Sequence, residues 1–328
     1  MMQNDLDTKT ISTNIERIIN NCLNIEGKKV LVIYDSTTEI LLSLFRQRLQ
    51  HCGYESEFIM TEEASGHGIE PSEKLFVAMK QADAIMCLTR YSLAHTRARR
   101  ICEQQGIGFL SMPEYNASML MNRAFLADYR AAYSEVKRFS DVLTEANLLS
   151  ITTSKGTNLK LNVAGRKGNC CPGYISKEIL LGSPPDIEAN IAPIENRTNG
   201  TIVVDGSITD YRIGLLKMEL RLEVENGRVI GIESLDKDVE NIVKEIFKGV
   251  YDDKAYVIGE LGVGFNNQAE LCGNMLIDEG TKGCIHFGIG SNWTIGGKNE
   301  VPFHLDFVVK EATVEADGRM IIRNGEIL

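Results

Sequence analysis

Apolar positions follow two different rhythms along this chain. From residue 29 to about residue 147, short unbroken apolar runs alternate with segments of helical spacing: "KVLVIYD" at 29–35, then "TEILLSLFRQRLQ", "ESEFIM", "SEKLFVAMKQ", "DAIMCL", "AHTRARRICEQQ", "IGFLSM" ending at Met112, and a long helical stretch over about 116–147. Strands that alternate with helices predict a parallel, doubly wound sheet. Ligands of such sheets sit at the carboxyl ends of the strands, which here means near Asp35, Arg90 and Met112. The turn "YDSTTE" after the first strand lacks the glycines of a dinucleotide-phosphate loop, and no Walker-type loop occurs. A Rossmann-like shape therefore carries no implication of NAD.

Beyond about residue 150 the rhythm becomes strands and tight turns. "GTIVVDGSI" at 200–208, "LRLEVENGRVIGI" at 220–232 and the terminal "ATVEADGRMIIRNGEIL" place Asp-Gly or Asn-Gly between alternating apolar residues, the pattern of hairpins. One helix, "VENIVKEIFKGV" at 239–250, interrupts them. The fold class expected is an α/β N-terminal domain with a parallel doubly wound sheet over residues 1–150, followed over 151–328 by an α+β domain rich in antiparallel strands. A length of 328 residues suits two such domains.

Composition narrows the function classes. The formal net charge of -10 argues against a nucleic-acid partner, because binding a polyanion requires a basic surface. The basic stretch at Arg97, Arg99 and Arg100 reads as one solvated helix face. The eight cysteines include no zinc-ribbon or Cys-x-x-Cys spacing, and Cys87 and Cys284 read as small buried hydrophobes. The N-terminal stretch has no secretory pattern and no segment reaches the ~20 apolar residues of a membrane span, so a cytoplasmic protein without a membrane partner is expected.

Candidate chemistry concentrates in the second half. In "VPFHLDFV" at 301–308, strand alternation turns His304 and Asp306 to one side and Phe303, Leu305 and Phe307 to the other. Glu188 lies in "PPDIEANIAP", Glu260 ends "AYVIGE", and His286 sits inside "CIHFGIG". Charged groups among apolar residues and glycines are costly to bury unless a cation pairs them, and these five residues are the number of ligands a dinuclear site uses. Of the other histidines, His51 and His67 read as exposed, and His95 in "SLAHTRAR" is a candidate for a substrate-cleft wall beside a helix start at Thr96.

Four stretches in order, "PDIEANIAPIENRTNGTIVVDGSI" (185–208), "GELGVGFN" (259–266), "NMLIDEGTKGCIHFGIGSN" (274–292) and "GGKNEVPFHLDFVV" (296–309), resemble the aminopeptidase T and aminopeptidase S family, often labelled leucyl aminopeptidase. The resemblance implies metal ligands at Glu188, Glu260, His286, His304 and Asp306, two divalent ions (zinc, cobalt, manganese or magnesium), and a homodimer. It also implies an exopeptidase that hydrolyses small peptides through a metal-activated water, with Glu260 as general base and Glu188 as bridging ligand. Two positions depart from the family: "P-x-G-E" is "P-D-I-E" here, and Trp293 stands where the peptidases carry a tyrosine seven residues after the histidine, which makes Trp293 a candidate substrate contact. The same fold resembles that of 2,5-dihydroxypyridine dioxygenase, an iron(II) enzyme. The alternative is therefore ring opening with His286, His304 and Asp306 as ligands. A non-catalytic relative is a third reading.

Overall fold

The computed structural model describes residues 2–328, with side chains from residue 7 onward. The chain forms two compact units, Met1–Tyr129 with Cys171–Pro185, and Arg130–Cys170 with Asp186–Leu328. The change of rhythm near residue 150 thus falls inside the second unit. That unit also contains most of the helix Tyr129–Glu145, whose Phe139 meets Phe265 edge-on with ring centroids 5.5 Å apart. Among the described residues no helix is long and apolar enough to cross a membrane.

The first unit contains the expected parallel sheet, in the order Glu55–Met60, Lys29–Tyr34, Ala84–Leu88, Gly108–Ser111, Leu181–Gly182. Its central strands are apolar on both faces, as a sheet covered on both sides requires. Chain direction across the sheet reverses between Lys29–Tyr34 and Ala84–Leu88, and the crevice at their tips is bridged by the protein itself. The Asp35 carboxylate accepts hydrogen bonds from Thr37 N (3.0 Å), Thr37 Oγ1 (2.6 Å) and Arg90 N (2.7 Å), while Thr38 Oγ1 donates to Leu88 O.

Several local expectations are corrected here. The single helix over 116–147 is three pieces, Ala117–Leu120, Arg123–Leu126 and Tyr129–Glu145, because Asn116 and Asn122 each cap a new turn and Ala127 is extended. Arg99 is not on a solvated face. It is 3% exposed, its Nε donates to Ala94 O and its guanidinium pairs with Glu103, so only part of the basic run meets water. His51 is exposed, whereas His67 is half-buried, its Nδ1 accepting from Ser92 N at 3.2 Å and its ring lying edge-on to Tyr91. Thr96 does cap its helix, and His95 precedes it as a partly buried residue of this unit.

The second unit has an eight-stranded antiparallel sheet and a seven-stranded one. Hairpins form at Asn226-Gly227, Asp317-Gly318 and Asn324-Gly325, where both residues of each turn have positive φ. Asp205-Gly206, expected as a fourth hairpin, instead carries the chain from one sheet to the other. Thr198–Val204 belongs to the eight-stranded sheet and Ser207–Ile208 to the seven-stranded sheet. Gly206 N donates to Val308 O, and a Cβ on Gly206 would stand 2.8 Å from that oxygen, so the glycine permits a close crossing.

Candidate metal centre

The seven-stranded sheet runs in the order Gly214–Leu215, Ser207–Ile208, His304–Lys310, Cys284–Gly290, Leu261–Gly264, Glu188–Ile191, Asn169–Cys171. Its registers pair Glu188 with Gly264, Gly262 with both Asn190 and His286, Gly288 with Asp306, and Gly290 with His304. Because directly paired residues share a face, Glu188, Asn190, His286, His304 and Asp306 all project to one side. Ala189, Ile191, Leu261, Val263, Ile285, Phe287, Ile289, Leu305, Phe307 and Val309 fill the other side and are buried. Alternation thus builds an apolar core and a polar centre on the two faces of one sheet.

The structure brings the five expected ligands together in two groups that share Glu260: Glu188, Glu260 and His286, and Glu260, His304 and Asp306. The residue standing between the groups is therefore Glu260 rather than Glu188. His286 Nε2 lies 3.1 Å from Glu188 Oε2, and His304 Nε2 lies 3.3 Å from Glu260 Oε2 and 3.2 Å from Asp306 Oδ1. The other ring nitrogen of His304, Nδ1, lies 2.9 Å from Ser291 O. A carbonyl can only accept, so Nδ1 carries a proton and Nε2 is the nitrogen turned toward the carboxylates.

Glycines make room for these rings. A Cβ at Gly262 would stand 2.1 Å from the His286 ring and 2.9 Å from Glu188 Oε2, and one at Gly288 would stand 2.6 Å from His304 Cε1 and 2.8 Å from Glu260 Cβ. Two further acids, which the sequence reading did not single out, complete the centre: Asp186, and Glu279 from the helix Met275–Gly280. Asp186 had a visible signal in its spacing of two from Glu188, but it stood only at the variable position of "P-D-I-E", whose departure from the family motif is Ile187.

Electrostatics give the arrangement its character. Five acids, Asp186, Glu188, Glu260, Glu279 and Asp306, share this buried space with two imidazoles. Burial, reinforced by Glu188, Glu260 and Asp306, pushes the Asp186 carboxyl well up, and burial together with Asp306 does the same to Glu279. Burial also raises Glu260. It would lower both imidazoles, yet the adjacent carboxylates outweigh it, holding His286 up at about 9 and His304 well above its ordinary value. Asp306, despite burial, is held low by His304.

This donor set fits a cation. Glu188 Oε2, Asp186 Oδ1, Glu279 Oε1 and His286 Nδ1 have no hydrogen-bond partner, and the Glu188–His286 contact lacks hydrogen-bond geometry despite its length. Two ligands at right angles around an ion, each about 2.1 Å from it, stand about 3.0 Å apart, close to the separations seen here. Among the described residues, Glu188, Glu260 and His286, and Glu260, His304 and Asp306, are the groups suited to a metal. Trp293 follows the His286 strand on the turn Trp293–Ile295 and is partly exposed, its backbone N donating to Asn299 O; His95 belongs to the first unit.

Comparison with known proteins identifies the lineage. The family model of NicX, 2,5-dihydroxypyridine 5,6-dioxygenase, matches residues 28–328. A protein of that name from Pseudomonas putida is 25% identical over 146 residues, a stretch spanning 42% of this chain and 41% of the relative. The solved structure of the Pseudomonas putida dioxygenase aligns over 97% of this chain and 96% of its own, with a TM-score of 0.80 and 17% identity. AmpT from Thermus thermophilus aligns over 98% and 99%, with a TM-score of 0.71 and 15% identity. The fold is thus one that a metallo-aminopeptidase also has, which accounts for the resemblance seen in the sequence. The reading of the chain as an aminopeptidase, a hydrolase and exopeptidase acting on small peptides, is overturned by the family match, because shared fold at this identity does not carry shared chemistry. Matched over nearly its whole length, the chain belongs to the NicX family of 2,5-dihydroxypyridine 5,6-dioxygenases.

Proposed function

We propose that this chain is an iron(II)-dependent dioxygenase that opens the ring of 2,5-dihydroxypyridine or a closely related hydroxylated pyridine. The observation that carries the reading is a buried centre on one sheet face in which two imidazoles, His286 and His304, and the Asp306 carboxylate fall in two adjoining groups joined by Glu260, in a chain of this family. Two imidazoles and one carboxylate that leave positions open form the ligand set of non-haem iron(II) oxygenases, and a bound iron would supply the electron exchange between dioxygen and an electron-rich ring.

The protein's own groups then have distinct tasks. His304 is held in one tautomer by Ser291 O, and Glu188 Oε2 offers a further oxygen ligand beside His286. Glu260, whose proton affinity is raised by burial, accepts a proton from a ring hydroxyl. Trp293 replaces a titratable phenol with an indole, which can stack on an aromatic ring and donate through nitrogen but cannot exchange a proton. The test is oxygen uptake by protein loaded with iron(II) without air and then mixed with 2,5-dihydroxypyridine. Uptake that requires both iron and the pyridine is expected; iron-loaded protein that consumes no oxygen with any electron-rich hydroxypyridine would overturn the proposal.

A further inference from the structure

Glu188 does not hold its orientation by itself. Its Oε1 accepts a hydrogen bond of 2.7 Å from Asn190 Nδ2, two residues along the same face of the same strand. Asn190 Oδ1 in turn accepts a bond of 2.8 Å from Asn169 Nδ2 on the neighbouring edge strand, and that same nitrogen donates to Ile295 O at 3.0 Å. The polarity of this chain of amides is determined at its far end. Ile295 O can only accept, so Asn169 must turn its nitrogen inward, Asn190 must then present oxygen to it, and the Asn190 nitrogen is left facing Glu188.

The result is an asymmetric carboxylate. One oxygen is occupied by a neutral donor, and the other, Oε2, lies over Gly262 without a hydrogen-bond partner and 3.1 Å from His286 Nε2. Asn190 is 3% exposed, and its amide makes both of the bonds named. We infer that Asn190 and Asn169 are positioning residues that aim Glu188 Oε2 at the cation, and that they tie this ligand to the backbone of the turn carrying Trp293. This rests on the reading of Glu188 as a metal ligand.

The experiment measures iron(II) affinity without air, by competition with a chelator, for the whole protein and for Asn190→Ala, Asn169→Ala and the double variant, with the melting temperature of each metal-free protein alongside. Removing a group that orients a ligand costs about 10–100-fold in metal affinity, and that loss is expected for Asn190→Ala. Asn169→Ala should lose less, since the Asn190 donor survives with a looser aim, and the double variant should bind no more weakly than Asn190→Ala alone, because both changes break one relay. Melting temperatures that fall while iron affinity stays at the wild-type value would overturn the inference in favour of a purely structural role, as would losses that simply add. If Asn190→Ala does not fold, an unchanged affinity in Asn169→Ala, a half-buried position, is sufficient to overturn it. Failure of wild-type protein to consume oxygen would count against the proposed reaction and leave these affinity differences standing; failure to bind iron at all would remove Glu188 as a ligand.

Discussion

Asp35 and Glu188 are both acids buried at strand termini, and their surroundings are opposites. Asp35, at the end of the first parallel strand, receives two backbone N–H groups and a hydroxyl, so its charge is satisfied by the chain that made it. Glu188 lies among four other acids, and one of its oxygens has no hydrogen-bond donor. A buried carboxylate with a full set of donors is part of the scaffold, stitching two loops across a crevice where related sheets hold ligands. A buried group of carboxylates short of donors must be neutralised, by protons as at Asp186 and Glu279 or by something positive among them.

Changing residues on each side of this contrast separates the two roles. The largest effect is expected at His304→Ala, which removes a ring directed at two carboxylates. Iron(II) affinity, measured without air, should fall by more than the 10–100-fold typical of a group that only orients a ligand, and oxygen uptake should vanish with it. Asp35→Asn should do the reverse, leaving iron affinity unchanged while costing about 2–4 kcal/mol in denaturant unfolding, because an amide cannot accept all the bonds that converge there. Gly262→Ala should fall between them. The added methyl meets the His286 ring, so about 1–3 kcal/mol of overpacking strain and a measurable loss of iron affinity should occur together.

The smallest effect concerns a second satisfied acid. Glu240 accepts from Lys237, Lys244 and Ser234 N, and its carboxyl is held down at about 2 by the two lysines and the backbone donor. A lowered carboxyl contributes stability that is present above its ordinary value near 4.5 and is lost as pH falls through about 2. Glu240→Gln should therefore flatten the acid side of the stability profile, read by thermal melts between these limits, and change nothing in iron binding. Its lysines reach water, so screening keeps the effect modest.

Much of this contrast could be read in advance, and the remainder could not for identifiable reasons. Rhythm alone gave the parallel and antiparallel halves, because strand and helix periods differ and burial enforces them. The His-x-Asp pair at 304 and 306 was legible from alternation. Glu188, Glu260 and His286 gained meaning only as an ordered set, since convergence across a hundred residues leaves no local trace. Asn190 and Asn169 were silent because a neutral amide in a strand carries no charge signal, and Glu279 because nothing beside it in the sequence shows that the fold brings it to Asp306. Asp205-Gly206 misled because a hairpin dipeptide also suits a close crossing between sheets. Function was misread for a related reason: proteins of different chemistry share this fold, and an ordered motif does not say which chemistry a chain carries.

The most direct test of the account is the fate of oxygen. Iron-loaded protein is mixed with 2,5-dihydroxypyridine under isotopically labelled dioxygen, and the quenched product is weighed by mass spectrometry. The account predicts a ring-opened product carrying label from both atoms of dioxygen. Ring-opened product without label, its added oxygen drawn from water, or pyridine recovered intact from protein shown to hold iron, would contradict it.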